Sequence, residues 1–211
     1  METLDYIIKK FDLETWRSEK MPIYLPHLQR YELAVLFKEL GFEKGVEIGV
    51  ERGRFSKELL FHNPNLFLYG VDPWSVYPGY RDYVSQEQLD GFYQQTVDRL
   101  TKYKLFSRVC LIKKFSLEAV KDFEDNSLDF VYIDGNHDLL NVISDIVAWT
   151  SKVRSGGIVS GHDYTRRKNT PQQSIHVIEG CVAYTTAYEI FPWFVFGGSS
   201  LGTGNFFWVK K

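Results

Sequence analysis

Val46-Glu47-Ile48-Gly49-Val50-Glu51-Arg52-Gly53-Arg54-Phe55-Ser56 is the stretch on which the reading of this 211-residue chain turns. It ends an apolar run, Gly45–Ile48, that reads as a strand, and it opens a helical pattern over Ser56–Phe61. Glycines at such a strand-to-helix turn let the backbone approach a nucleotide-like ligand at the carboxyl ends of an open α/β sheet. The dinucleotide fingerprint would need glycines at 51 and 54, where the chain has Glu51 and Arg54, and no Gly-Lys-Ser/Thr follows. A pyrophosphate against the loop and a P-loop are therefore disfavoured. What remains is an acidic residue, Glu47, two before Gly49, with Gly53 four further on; the same glycines would equally suit a turn that binds nothing.

Outward from this turn, short apolar runs recur at Leu66–Val71, Val109–Ile112, Asp129–Ile133, Gly157–Ser160, Trp193–Phe196 and Phe206–Val209, which makes seven candidate strands with the first. Helical patterns fall between the early ones, over Gln88–Tyr103, over Ser116–Val120 with Ser116 as N-cap, and over Leu139–Trp149. A further helix, Leu28–Leu40, precedes the first strand and is ended by Gly41. Alternating strand and helix predicts an α/β fold with a mostly parallel sheet covered by helices on both faces. Residues 197–205 are too few for a crossover helix, so the last two strands are expected to pair antiparallel at one edge. No repeat or linker divides the chain. A single domain over 1–211 is expected, with 1–40 as an N-terminal helical cap or lid and 41–211 as the ligand-binding core.

Composition narrows the class. Lys and Arg number 25 against 27 Asp and Glu, 44% of residues are apolar, and there are 16 Phe, 13 Tyr and 5 Trp. Such a chain buries one sizeable core, which excludes disorder and collagen-like order. A net charge of −2 offers no overall field for nucleic acid or an anionic membrane. The opening METLDYIIKKFD shows no secretory pattern, and no apolar run nears the roughly 20 residues of a membrane span. Cys110 and Cys181 each sit in an apolar segment and are expected to be buried free thiols, which suits a cytoplasmic location.

Asp72, in Leu68-Tyr69-Gly70-Val71-Asp72-Pro73-Trp74, ends the second strand roughly 20 residues past the glycine turn, where a carboxylate can accept both hydroxyls of a ribose. Charged hydrogen bonds of that kind contribute about 1.5–3 kcal/mol each. The competing reading is a solvated carboxylate at a strand end.

With these residues in place, the chain resembles the class I S-adenosylmethionine-dependent methyltransferases over about residues 40 to 211: an acidic-x-Gly-x-x-x-Gly turn, an acidic end to strand two, and parallel crossovers closed by an antiparallel hairpin. The resemblance implies a Rossmann-like sheet and S-adenosylmethionine as cofactor. It also implies that Glu47, Gly49 and Gly53 lie around the methionine and ribose, that Asp72 holds the ribose, and that Ser116 contacts the adenine edge. A helix cap explains Ser116 equally well.

Two further stretches end strands four and five: Phe130-Val131-Tyr132-Ile133-Asp134-Gly135-Asn136-His137-Asp138 and Gly157-Ile158-Val159-Ser160-Gly161-His162-Asp163-Tyr164. They deliver Asp134, His162 and Asp163 to neighbouring strand ends, where the three could converge on one metal ion. These segments resemble the metal-dependent O-methyltransferases of the catechol and macrocin type. That resemblance implies a divalent cation, Mg²⁺ or Mn²⁺, holding an acceptor hydroxyl, and a sugar or natural-product acceptor. The family usually offers two oxygen ligands after strand five. Here the first is His162, an imidazole that suits Mg²⁺ poorly, so either a softer ion such as Mn²⁺ or Fe²⁺ is used or Asp163 alone completes the site with water. His137 stands where catechol-type members carry their basic residue and, with Asp134, is the candidate proton acceptor; alternatively residues 136–138 cap the next helix.

The aromatic, Pro- and Gly-bearing stretch 73–83, with Trp74, Tyr77, Tyr80 and Tyr83, reads as a flap over the strand edge, and Tyr164 falls beside it. The basic run Arg166-Arg167-Lys168 reads as a solvated loop or as the seat of an anionic acceptor. The N-terminal segment could cover the pocket or pack on a second copy. The expected partner is thus a small-molecule acceptor, with neither nucleic acid nor membrane. Rival readings are a metal-independent N- or O-methyltransferase and a non-catalytic binding or assembly protein that keeps the fold.

Overall fold

Strand pairing in the centre of the sheet follows from side chains that are apolar on both faces. In the strand Leu128–Ile133, Phe130 and Tyr132 enter one buried layer while Leu128, Val131 and Ile133 enter the other, so helices must cover both sides. The computed structural model describes residues 2–25, 28–77, 85–166, 175–197 and 204–211.

Eight strands form one sheet: β1 (Ile23–Leu25), β2 (Lys44–Ile48), β3 (Phe67–Val71), β4 (Val109–Ile112), β5 (Leu128–Ile133), β6 (Val153–Tyr164), β7 (Trp193–Gly197) and β8 (Gly204–Val209). Their order is β1-β7-β8-β6-β5-β2-β3-β4, and only β8 runs against its neighbours. The helices are α1 (Thr3–Lys10), α2 (Arg30–Glu39), α3 (Arg54–His62), α4 (Gln86–Lys102), α5 (Ser116–Ala119), α6 (Leu139–Thr150) and α7 (Val177–Ala187). Ile7, Leu33, Phe37, Phe55 and Leu59 bring α1 to α3 onto one face, and Ala119, Ile146, Trp149 and Cys181 bring α5 to α7 onto the other.

The seven expected strands are all present, and three features go beyond them. The β7–β8 pair does not stand at an edge: β8 inserts between β6 and β7, and β1 adds a parallel edge strand with Ile23 opposite Phe194. With three residues and Tyr24 62% exposed, β1 is too short to show a pattern of its own. Helix α7 hides for the opposite reason, being apolar over much of its length. It packs against α6 so closely that a Cβ at Gly180 would lie 2.6 Å from Val142 Cγ1. Cys110 is exposed, contrary to expectation, because β4 closes the sheet at its far edge; Cys181 is buried, and both are free thiols. No helix among the described residues is long and apolar enough to cross a membrane.

Much of the aromatic content is core. Phe37 stacks on Phe130 at 4.1 Å, Phe194 on Phe207 at 4.8 Å and Phe206 on Trp208 at 5.5 Å. Room for the Phe130 ring comes from Gly45 on the adjacent strand, where a Cβ would fall 2.1 Å from Phe130 Cζ. Gly45→Ala is expected to destabilise the fold by about 1–3 kcal/mol through overpacking. In a thermal double-mutant cycle, Phe130→Leu should recover part of that loss.

Candidate active site at the strand ends

Because β3 and β4 lie on one side of β2 while β5 and β6 lie on the other, the chain reverses its winding direction at β2, and a crevice opens at the carboxyl ends of β2 and β5. A cavity of about 570 Å³ fills it, within the size range of small-molecule sites. Its floor is the glycine turn. Gly49 has φ +83°, and a Cβ there would sit 2.0 Å from the Asp134 carbonyl oxygen, so glycine alone fits. Gly49 N–H donates to Val71 O at 2.9 Å and Asp134 N–H to Ile48 O at 2.8 Å, which ties the turn to both neighbouring strands.

Asp72 is an anchored carboxylate, not a solvated one. Its Oδ2 accepts the Glu51 N–H at 2.9 Å and its Oδ1 the Trp74 N–H at 2.8 Å. Both donors belong to residues with positive φ, so Asp72 stabilises a turn that the backbone alone would resist. The Trp74 indole N–H donates to Glu51 O at 2.8 Å, which makes Trp74 a buried prop of the turn. Burial raises the pKa of Asp72, against the pull of these backbone bonds. Gly49, Asp72, Ser116, Asp134, His137, His162 and Asp163 all line the cavity. Glu47 and Gly53 stand behind the turn. Gly53 has φ +65° and backs onto Thr96 of α4, while Glu47 is fully buried and accepts a hydrogen bond from Ser56 Oγ.

Asp134, His162 and Asp163 do come together. One ligand atom from each lies within 4.8 Å of the others, with His162 Nδ1 3.6 Å from Asp134 Oδ1 and 3.4 Å from Asp163 Oδ2. His137 joins them, its Nε2 2.9 Å from Asp163 Oδ2 and 3.6 Å from Asp134 Oδ1. That nitrogen is sealed from solvent without a well-aligned hydrogen bond. Two carboxylates and the His162 imidazole are a donor set that fits a divalent cation, with the imidazole nitrogen favouring Mn²⁺ or Fe²⁺. The helix cap is supplied by the next residue: Asp138 Oδ1 accepts the Asn141 N–H at the start of α6, which leaves His137 to face the cluster.

Sequence reasoning missed Arg30. From the first turn of α2 its Nη2 donates to Asp134 Oδ2 at 2.6 Å, and its guanidinium lies over the rings of Phe55 (4.3 Å) and Tyr132 (4.9 Å). A signal existed, since a cation in the first turn of a helix opposes the macrodipole and needs an acidic partner. Around this cluster burial disfavours charge on His137, yet the Asp134 and Asp163 carboxylates win and push it up to about 10. Burial likewise raises Asp163, but His137 and His162 hold it well below the usual carboxylate range.

Other expectations change. Ser116 is the first residue of α5 and not its cap; its hydroxyl donates to Asp145 Oδ1 at 2.5 Å and accepts from Trp149 Nε1 at 2.7 Å. Tyr77 lines the cavity and packs edge-on to Phe115, whereas Tyr164 turns into the core against Trp193. Tyr80, Tyr83, Arg167 and Lys168 lie outside the described residues.

A glycine turn at the winding reversal, a carboxylate ending the next strand and one antiparallel strand inserted near the far edge define the Rossmann-like fold of the S-adenosylmethionine-dependent methyltransferases. The chain belongs to the methyltransferase domain family, whose profile matches residues 46–164. Among solved structures it is similar to precorrin-6y C5,15-methyltransferase from Geobacter metallireducens GS-15, with 15% identity, TM-score 0.59, and coverage of 90% of this chain and 95% of that one. An O-methyltransferase family protein from Burkholderia thailandensis shares the fold at 14% identity and TM-score 0.62, over 86% of this chain and 55% of that one. A curated relative, the uncharacterized protein y4gI of Sinorhizobium fredii (strain NBRC 101917 / NGR234), is 32% identical over 80 residues; the match covers 38% of this chain and 9% of that protein.

Burial pushes Glu47 up to about 8 from an ordinary 4.5. The folded chain therefore keeps this proton to higher pH than the unfolded chain does, so the associated stability is complete below about pH 4.5 and is lost as pH climbs through about 8. Glu47→Gln should flatten that loss. Its melting temperature, relative to the parent, should rise steadily between pH 5 and pH 9.

Proposed function

We propose that this domain transfers the methyl group of S-adenosylmethionine to an oxygen of a small-molecule acceptor of sugar or natural-product type, assisted by a divalent cation. One observation carries the reading: Asp134, His162 and Asp163 converge on the wall of the same cavity that Gly49 and Asp72 line. Asp134, His162 and Asp163 would hold the cation. When bound, such an ion supplies Lewis-acid polarisation of the acceptor hydroxyl.

The chain's own groups supply the rest. Asp72, with both oxygens already fixed by backbone donors, keeps further lone pairs for the hydroxyls of the ribose, and Gly49 brings the backbone close to the cofactor. The acceptor oxygen attacks the methyl carbon as its bond to sulfur breaks, and the hydroxyl proton passes to His137 or Asp134. His137 is protonated at neutral pH in the ion-free cluster because two carboxylates face it. A second positive centre beside those carboxylates lowers its affinity for the proton, which is the condition for its acting as a base. Arg30 orients Asp134 through Oδ2 and leaves Oδ1 directed at His137 and His162. The exposed Arg166, at the start of the basic run, suits an acceptor that carries a phosphate or carboxylate.

A metal-independent reading has one observation in its favour, since Arg30 already gives Asp134 a counter-charge at 2.6 Å. Chelation distinguishes the two. EDTA should abolish turnover, Mn²⁺ should restore it better than Mg²⁺, and Asp163→Asn should lower kcat about 100-fold while changing the affinity for S-adenosylhomocysteine less than threefold. A rate indifferent to EDTA would establish the metal-independent route. Absence of any calorimetric or thermal-shift response to S-adenosylmethionine would overturn the methyltransferase reading itself. Arg166→Ala/Arg167→Ala is expected to raise the acceptor KM; an unchanged KM excludes the anionic acceptor.

A further inference from the structure

Arg30 is held as a permanent charge beside the cluster. Its guanidinium lies over the buried rings of Phe55 and Tyr132, at 4.3 and 4.9 Å, and the Tyr132 hydroxyl is itself tied to Asn205 Oδ1 at 2.9 Å. Nε is sealed from solvent with no hydrogen-bond partner among the described residues, a cost that contact with the two rings must offset. The acid on its own helix, Glu32, is engaged by the Gln29 N–H at the start of α2. Among the described residues the one ion pair of Arg30 is therefore with Asp134, from Nη2 to Oδ2 at 2.6 Å. A guanidinium does not lose its proton in a protein, so the charge is always present. The bond occupies Oδ2 and leaves Oδ1 facing His162 Nδ1 and His137 Nε2, each at 3.6 Å. Asp134 thus turns one oxygen to the cluster where an unpaired carboxylate could turn two, and its negative charge is already balanced. A cation drawn to the cluster also meets a like charge held against one of its ligands, and at such short range that repulsion changes binding severalfold or more.

We propose that Arg30 is a positioning residue that keeps a divalent cation weakly held and exchangeable, by restricting Asp134 to one ligating oxygen and by setting a permanent positive charge beside it. The inference rests on the reading of Asp134, His162 and Asp163 as a cation site. Arg30 is not a ligand and acts only through Asp134 and through its own field. The ring clamp keeps the guanidinium in place independently of Asp134, so the charge does not leave when a cation arrives.

Calorimetric titration of the whole protein with Mn²⁺ alone tests this, beside Arg30→Met, which keeps an apolar stem against the rings without the charge, and Arg30→Lys, which keeps the charge. Arg30→Met should bind Mn²⁺ about 10- to 100-fold more tightly than the parent, and Arg30→Lys within about threefold of the parent. The sign is diagnostic, because loss of a merely structural Arg30 would leave Asp134 without orientation and weaken the binding. Where Arg30→Met does not fold, Arg30→Gln removes the same charge and should shift the affinity in the same direction. A folded charge-removed variant that binds Mn²⁺ no more tightly than the parent overturns the proposal, and so does an Arg30→Lys that binds as tightly as Arg30→Met. A parent too weak to saturate beside an Arg30→Met that does saturate is the expected result in its stronger form. If neither the parent nor any variant takes up Mn²⁺, the cation site itself fails and this inference with it.

Discussion

The close approach of Gly49 to the Asp134 carbonyl is the constraint on which the rest of the site depends. Any side chain at that position would strike the peptide that ends β5, so β2 and β5 could not stay paired up to their last residues. With glycine there, Ile48 aligns with Ile133, and Asp134 emerges directly beside the turn. The glycine turn and the Asp134 cluster are therefore one piece of backbone geometry. Asp72 completes it from the other side, because its two accepted N–H groups hold Glu51 and Trp74 in left-handed conformations. The carboxylate that anchors the turn is the same one proposed to hold the ribose.

Electrostatic order in the cavity rests on alternating sign. Arg30 meets Asp134, and Asp134 and Asp163 face His137 and His162, with Glu47 buried behind. Within this cluster the carboxylates face cationic or imidazole groups, which is how Asp134 and Asp163 are tolerated at low exposure. Glu47 relinquishes its charge instead: burial outweighs the Ser56 hydrogen bond and the field of Arg30.

Legibility in the sequence followed the length of the signal. Central strands such as β2, β3 and β5 announced themselves as apolar runs ending in Gly or Asp, and the strand-end residues Gly49, Asp72, Asp134, His162 and Asp163 came with them. Strand β1 did not, because three residues carry no period, and α7 did not, because a largely apolar helix has no polar face to set the phase. The partner of Arg30 was invisible for a different reason. The arginine comes from a helix that precedes the core, and no spacing rule connects position 30 with position 134. The partnership of Ser116 with Asp145 was hidden likewise: a serine beginning a helix reads as a cap until the acid on a distant helix is seen to claim it.

The short edge strand has a kinetic meaning. β1 pairs with β7, and Trp193 N–H donates to Met21 Sδ at 3.4 Å across 172 positions of the chain. Closing so wide a loop is entropically slow, and parallel pairing of this separation forms late. Arg30 begins the helix that follows β1, so the counter-charge for Asp134 comes from the same N-terminal stretch whose edge strand must find its partner near the other end of the chain.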